Sequence, residues 1–170
     1  SDNEYKTASE KFIANFANPV QEAQGLVWPY LNLLPDSSNY DQNDLVFIAK
    51  KQYEAIELAS VIKGSTIIDT GVEVIKIWNE VKYNSSHAHI EALFKKQNQI
   101  VTHYFLCSPE IPWEPDPLRE NPSDRDVLFI KYEKLLSSLK LPYTIIIGSR
   151  KERLAAAKHL IKGYSPTTYK

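Results

Sequence analysis

Methionine is absent from this 170-residue chain, cysteine occurs once, and neither sign of charge is in clear excess. With Cys107 alone, no intrachain disulfide can form and a cysteine-based metal site lacks its ligands; a reducing compartment, the cytoplasm, is the expected location. A formal charge of −1 lacks the basic excess on which nonspecific nucleic-acid binding depends, so neither nucleic acid nor an anionic membrane is an expected partner. No apolar run approaches the roughly 20 residues that span a bilayer, and the first residues carry neither the charged nor the apolar region of a signal peptide. Because position 1 is not methionine, the chain is expected to continue before Ser1, taking the first strand of the fold with it.

What remains is an ordinary globular composition, 43% hydrophobic, in a length suited to a single domain over residues 1–170 with a sizeable core. Apolar residues at helical spacing (Ala8, Phe12, Ile13, Phe16) predict a short helix closed by Pro19. Residues 20–40 read as irregular, with turn residues throughout and one apolar patch, Leu26-Val27-Trp28, able to form a strand. A long helix is predicted from Asp41 to about Lys63, capped by Asp41, striped with Leu45, Ile48, Ala49, Tyr53, Ile56, Ala59 and Ile62, and ended by Gly64.

From there strands and helices alternate. Ser65 to Asp69 reads as a buried strand with an acid at its carboxyl end, followed by a helix through Val72, Ile75 and Trp78 and another near 87–98. Val101 to Cys107 is the next strand, with Cys107 expected as a small buried hydrophobe. A helix over about 125–139, a strand from Leu141 to Gly148 and a helix from Lys151 to Ile161 complete the series, before a tail expected to be loosely held. His87 and His89 read as a solvated helix start. Such alternation implies βαβ units, an α/β domain with a mainly parallel sheet and helices on both faces. Ligands bind such sheets beyond the carboxyl ends of the strands, which is where Asp69, the segment after Cys107, and Gly148 fall.

That segment, Pro112-Trp-Glu-Pro-Asp-Pro-Leu-Arg-Glu-Asn-Pro-Ser-Asp-Arg125, reads as a lid loop. Its prolines fix φ and remove backbone donors, so an ordered excursion is expected. Trp113 offers a flat stacking face, while Arg119 and Arg125 offer forked donors suited to phosphate oxygens; the alternative is a soluble connection with surface ion pairs to Glu120 or Asp124.

The series Asp44-Leu-Val-Phe-Ile-Ala-Lys-Lys-Gln52, Ile67-Ile-Asp-Thr70, Lys76-Ile-Trp-Asn-Glu80, Tyr104-Phe-Leu-Cys107, Ile111-Pro-Trp-Glu-Pro-Asp-Pro-Leu-Arg119 and Arg150-Lys-Glu-Arg-Leu154 resembles the ribosylnicotinamide kinase domain of NadR-like proteins, within the P-loop kinase-like group of AAA-type ATPases. The resemblance implies a three-layer P-loop NTPase-like fold and phosphoryl transfer from ATP, with Mg²⁺, to the ribose hydroxyl of a pyridine nucleoside. A small-molecule nucleoside or nucleotide is therefore the implied partner. It assigns catalysis to Asp69, Arg119 and Arg125, with Asp69 contacting the acceptor or a metal-bound water; the other reading makes Asp69 a cap for the helix beginning at Gly71. Trp113 and Asp116 are implied at the substrate, Trp113 stacking on its ring or else packing on the sheet edge. Gly148 and Arg153 are implied at the adenine, or else they form a routine turn with a solvated helix arginine.

Lys6 and Thr7 are implied at the phosphates, with Thr7 as a magnesium ligand, but their surroundings depart from Gly-x-x-x-x-Gly-Lys-[Ser/Thr]. Tyr5 stands where the second glycine belongs and crowds the cradle, and Asp2 and Glu4 place negative charge beside it. Upstream of Tyr30-Leu31, Gly25 and Trp28 occupy the positions where the family's pattern has a carboxylate and an arginine. A degenerate P-loop domain acting as a ligand-binding or regulatory module is therefore the alternative reading.

Overall fold

The computed structural model describes residues 40–112 and 124–163, and the backbone of residues 20–23. Its elements run β1 (Val20–Ala23), α1 (Gln42–Ser60), β2 (Ser65–Ile68), α2 (Val72–Tyr83), α3 (Ala88–Gln97), β3 (Tyr104–Cys107), α4 (Arg125–Ser138), β4 (Tyr143–Ile146) and α5 (Arg150–Gly163). The chain divides into two compact units between Ile100 and Val101. The α/β class holds: β1 pairs with β2 and β3 with β4, each in parallel. No helix among the described residues is long and apolar enough to cross a membrane.

In the first unit, α1 starts where the sequence predicts. The Asp41 carboxylate accepts the amides of Asn43 at 2.7 Å and Asp44 at 3.1 Å, and Asp44 returns the bond by accepting the Asp41 N–H at 2.7 Å. This reciprocal pair satisfies amides that the first turn leaves without helical partners. The helix stops at Ser60, short of the expected Lys63, and Gly64 takes φ +119 on the way into β2. Leu45, Ile48, Ala49 and Ile56 are buried as the stripe predicts, and α1 packs against α2 and α3, whose Val72, Ile75, Ile77, Ile90 and Phe94 are buried too. Each fully buried Ile or Leu contributes about 1.5–3 kcal/mol relative to exposure. Ile62 departs from the stripe and is exposed, because the helix ends before it; Gln52 is buried instead.

The strand Val20–Ala23 corrects the irregular reading of residues 20–40. Val-Gln-Glu-Ala has neither a run of β-branched residues nor strict alternation, so its strand character comes from pairing with β2, Val20 opposite Ser65 through Ala23 opposite Ile68. The expected helix at 6–16, the patch Leu26-Val27-Trp28 and the tail beyond Gly163 lie outside the described residues.

The second unit has a smaller core: Tyr104, Leu106 and Leu136, with Val101, Phe129, Tyr132, Leu141 and Tyr143 packed against them. α4 thus lies on β3, and β3 pairs with β4 in register Tyr104 to Tyr143 and Cys107 to Ile146. The pairing extends at both ends, where the Tyr104 N–H donates to Pro142 O and the Ser108 N–H to Ile146 O, each at 2.9 Å. Cys107, expected to be buried, is exposed: the alternation of β3 turns Tyr104 and Leu106 inward and leaves the thiol outside.

Candidate functional site

Two strand ends carry the chemistry-bearing residues, one in each unit. In the first, β2 runs into Asp69-Thr70-Gly71 before α2. The cap position belongs to Gly71, with φ −99 and no side-chain cap bond, so Asp69 is not the cap of this helix. The first turn of α2 is satisfied from elsewhere. The Val72 N–H donates to Gln97 Oε1 at 2.7 Å, and Gln97 Nε2 donates to Glu73 Oε2 at 2.5 Å. Burial pushes the Glu73 carboxyl above the usual range, a rise reduced by the bonds from Gln97 and from the amides of Glu73 and Gly71. The Glu73 carboxylate folds over residue 71 so closely that a Cβ there would meet Glu73 Oε2 at 2.2 Å. A larger residue at 71 would displace that flexible carboxylate.

Asp69 is thereby released from any structural duty in the helix. Its carboxylate reaches solvent and has no hydrogen-bond or ion-pair partner among the described residues, yet the protein around it desolvates the charge and raises its pKa. A hard carboxylate at the carboxyl end of a parallel strand, with its proton affinity raised, is equipped to accept a proton from a hydroxyl or to hold hydrated Mg²⁺.

In the second unit, Ile147-Gly148-Ser149 joins β4 to α5. Gly148 has φ +88, a region side chains rarely adopt, and a Cβ there would also meet Glu152 Oε2 at 2.8 Å, so the turn is built for glycine. Its two backbone groups are both engaged. The Gly148 N–H donates to Glu110 Oε2 at 2.8 Å, and the Gly148 carbonyl accepts Arg153 Nε at 2.7 Å. Arg153 Nη2 closes the ring by donating to the same Glu110 oxygen at 3.3 Å. At the neighbouring residue, Glu152 accepts both the Ser149 N–H at 2.8 Å and its hydroxyl at 2.6 Å, and these bonds hold the Glu152 carboxyl below the usual range.

Gly148 and Arg153, expected together from the sequence, are thus brought into direct contact. The alternative of a solvated arginine does not hold, since Arg153 is 9% exposed. Glu110 is the member that the sequence reading missed. The signal that marks Asp69, an acid just beyond a strand's carboxyl end, is also present at Glu110, three residues after β3. Arg125 opens α4, half-buried and without an ion-pair partner among the described residues; Asp124 before it makes no side-chain cap bond. Lys6, Thr7, Trp113, Asp116 and Arg119, and with them the lid loop, lie outside the described residues. The rings of His87 and His89 lie 5.5 Å apart between centres, tilted by 35° to one another. Among the described residues no group of three or more His, Cys, Asp or Glu side chains is arranged to hold a metal ion.

The model of a protein family described as AAA domain matches residues 32–153. The chain belongs to the AAA domain family. It is therefore P-loop NTPase-like, a nucleotide-binding class whose members generally bind ATP and Mg²⁺. The match to the AAA domain spans Asp69, Trp113, Asp116, Arg119, Arg125 and Gly148, ends on Arg153, and leaves Lys6 and Thr7 outside it. No curated protein and no solved structure matches the chain significantly. Of the described residues in this AAA domain, the Gly148 N–H is a backbone donor of the kind a nucleotide base can use, although here it is taken by Glu110 Oε2 and the space beside its Cα by Glu152 Oε2. Asp69 suits a magnesium ion by its oxygen chemistry.

Proposed function

We propose that this AAA domain protein is an ATP-dependent kinase that phosphorylates the ribose hydroxyl of a pyridine nucleoside, both units together forming one P-loop kinase-like domain. The observation that carries the reading is Asp69: a carboxylate at the end of a parallel strand, without a partner among the described residues, with its pKa raised by desolvation. Phosphoryl transfer asks the protein mainly to position the acceptor hydroxyl and to offset charge on the transferring group. In this scheme Asp69 orients the hydroxyl and receives its proton. Trp113 stacks on the pyridine ring, with Asp116 hydrogen-bonding beside it. Arg119 and Arg125 supply fixed positive charge as the phosphoryl group moves. Lys6 and Thr7 would hold the phosphates and Mg²⁺, which supplies charge neutralisation when bound. Gly148 offers its backbone to the adenine, and Arg153 holds that turn by its carbonyl.

A second reading, a ligand-binding or regulatory module without turnover, is favoured by Tyr5, Asp2 and Glu4 at the phosphate cradle and by Gly25 and Trp28 upstream of Tyr30. Calorimetry with Mg-ATP and ribosylnicotinamide, followed by an assay for ADP release, separates them. The kinase reading expects both ligands to bind and turnover to vanish in Lys6→Ala. Binding without ADP release selects the module, and no binding at millimolar ATP defeats the nucleotide reading altogether.

A further inference from the structure

The Gly148 amide points at an atom of the protein itself. Glu110 Oε2 sits where two donors converge, the Gly148 N–H at 2.8 Å and Arg153 Nη2 at 3.3 Å. Arg153 does not depend on Glu110 for its place: it is 9% exposed and is anchored through Nε to the Gly148 carbonyl at 2.7 Å. Glu110, by contrast, leaves 53% of its side chain exposed, so its half of the ion pair opens to water at little cost. If the carboxylate swings away, both donors stay behind, still aimed at the same point and now open to water or to another acceptor. A turn of that kind accepts whatever acceptor atom can replace the oxygen it has lost.

We propose that Glu110 is a self-occupying contact that competes with the purine base of ATP for the β4–α5 turn, so that nucleotide binds only by displacing it. This rests on the reading that Gly148 faces the adenine. A ring nitrogen of the base would take the Gly148 N–H, and Arg153 Nη2 would turn to a second acceptor or to water. Glu110 then acts as a regulatory residue of this site. It lowers nucleotide affinity while empty of function in the transfer itself, and it keeps the two donors from standing bare when no nucleotide is present.

Two measurements on the full chain test this. Hydrogen exchange at the Gly148 amide should speed up at least about tenfold in Glu110→Ala, because its acceptor is gone. Calorimetry with Mg-ATP should show Glu110→Ala binding about fivefold to tenfold more tightly than wild type, with Glu110→Gln between them, since the amide oxygen still accepts but carries no charge. Thermal melting confirms that the variants are folded. Unchanged exchange at Gly148 overturns the contact, whatever binds. Equal or weaker ATP affinity in a folded Glu110→Ala overturns the competition. If neither protein takes up ATP while Gly148 exchange responds as expected, the nucleotide reading fails and the competition with it, leaving Glu110 as a staple of the turn.

Discussion

Gln97→Leu offers a quantitative check on how α2 is started. Gln97 is 1% exposed and Val72 fully buried, and the substitution keeps side-chain volume roughly constant while deleting the glutamine's bonds to the Val72 amide and the Glu73 carboxylate. It strands the Val72 N–H without an acceptor, at about 1–3 kcal/mol, and removes a hydrogen bond to a carboxylate worth about 1.5–3 kcal/mol. The glutamine amide no longer has to be buried, so these do not simply add, and we expect a net loss of about 2–4 kcal/mol at neutral pH. The loss should depend on pH. Burial raises the Glu73 carboxyl in the folded protein, so the folded state holds that proton more tightly than the unfolded chain, and stability falls as pH rises from the ordinary glutamate value through the raised folded one. Gln97 favours the charged form, so its removal raises the Glu73 pKa further. The Gln97→Leu penalty is then largest above the folded pKa and smaller below the ordinary value, where Glu73 is protonated in both states. Urea unfolding followed by circular dichroism at neutral and acid pH measures both quantities. A neutral-pH loss below about 0.5 kcal/mol, within the range of surface substitutions, would refute the account of the helix start. So would a penalty that fails to shrink in acid.

Two further outcomes follow from the same reasoning. Asp69→Asn should lower turnover about 10²–10⁴-fold if Asp69 receives the hydroxyl proton. Because desolvation penalises its charge, the same change should stabilise the fold at neutral pH but not below the ordinary aspartate value; a melting point that falls instead contradicts the desolvated carboxylate. Lys76→Met removes the cation joining Glu80, at 2.5 Å, and Glu91, and should cost about 1–3 kcal/mol, less than a fully buried pair because both carboxylates reach water. Burial alone would lower the Lys76 ammonium, but its bonds to Glu80 and Glu91 outweigh that and raise it. The difference between variant and wild type in thermal melts should therefore persist at neutral pH and close only as pH climbs through the raised lysine value.

Features fixed by neighbouring residues were legible in the sequence. Asp41 capping α1 and the buried Leu45, Ile48 and Ile56 follow from local hydrogen bonding and helical period, which need no knowledge of the rest of the chain. Features fixed by distant partners were not. β1 is a strand because β2 lies beside it. Gln97 is a buried polar residue because Val72 and Glu73, far behind it in sequence, receive it. Glu110 matters because Gly148 and Arg153 meet it from 38 and 43 positions away. Cys107 read as buried because a short apolar strand hides which of its faces is inward. The strand-end rule put Asp69 and Gly148 just beyond β2 and β4, where the structure has them, but the sequence could not reveal that Arg153 commits its guanidinium to the turn.

The exposed sulfur at the end of β3 has a practical use. As the sole thiol of the chain, Cys107 accepts a maleimide dye or spin label in the native protein without any engineered background. The attached reporter would stand next to Ser108, whose amide is bonded to the last residue of β4, and three residues before Glu110. Release of the Glu110 carboxylate from its turn could then be followed in real time as a change in a single fluorescence or resonance signal.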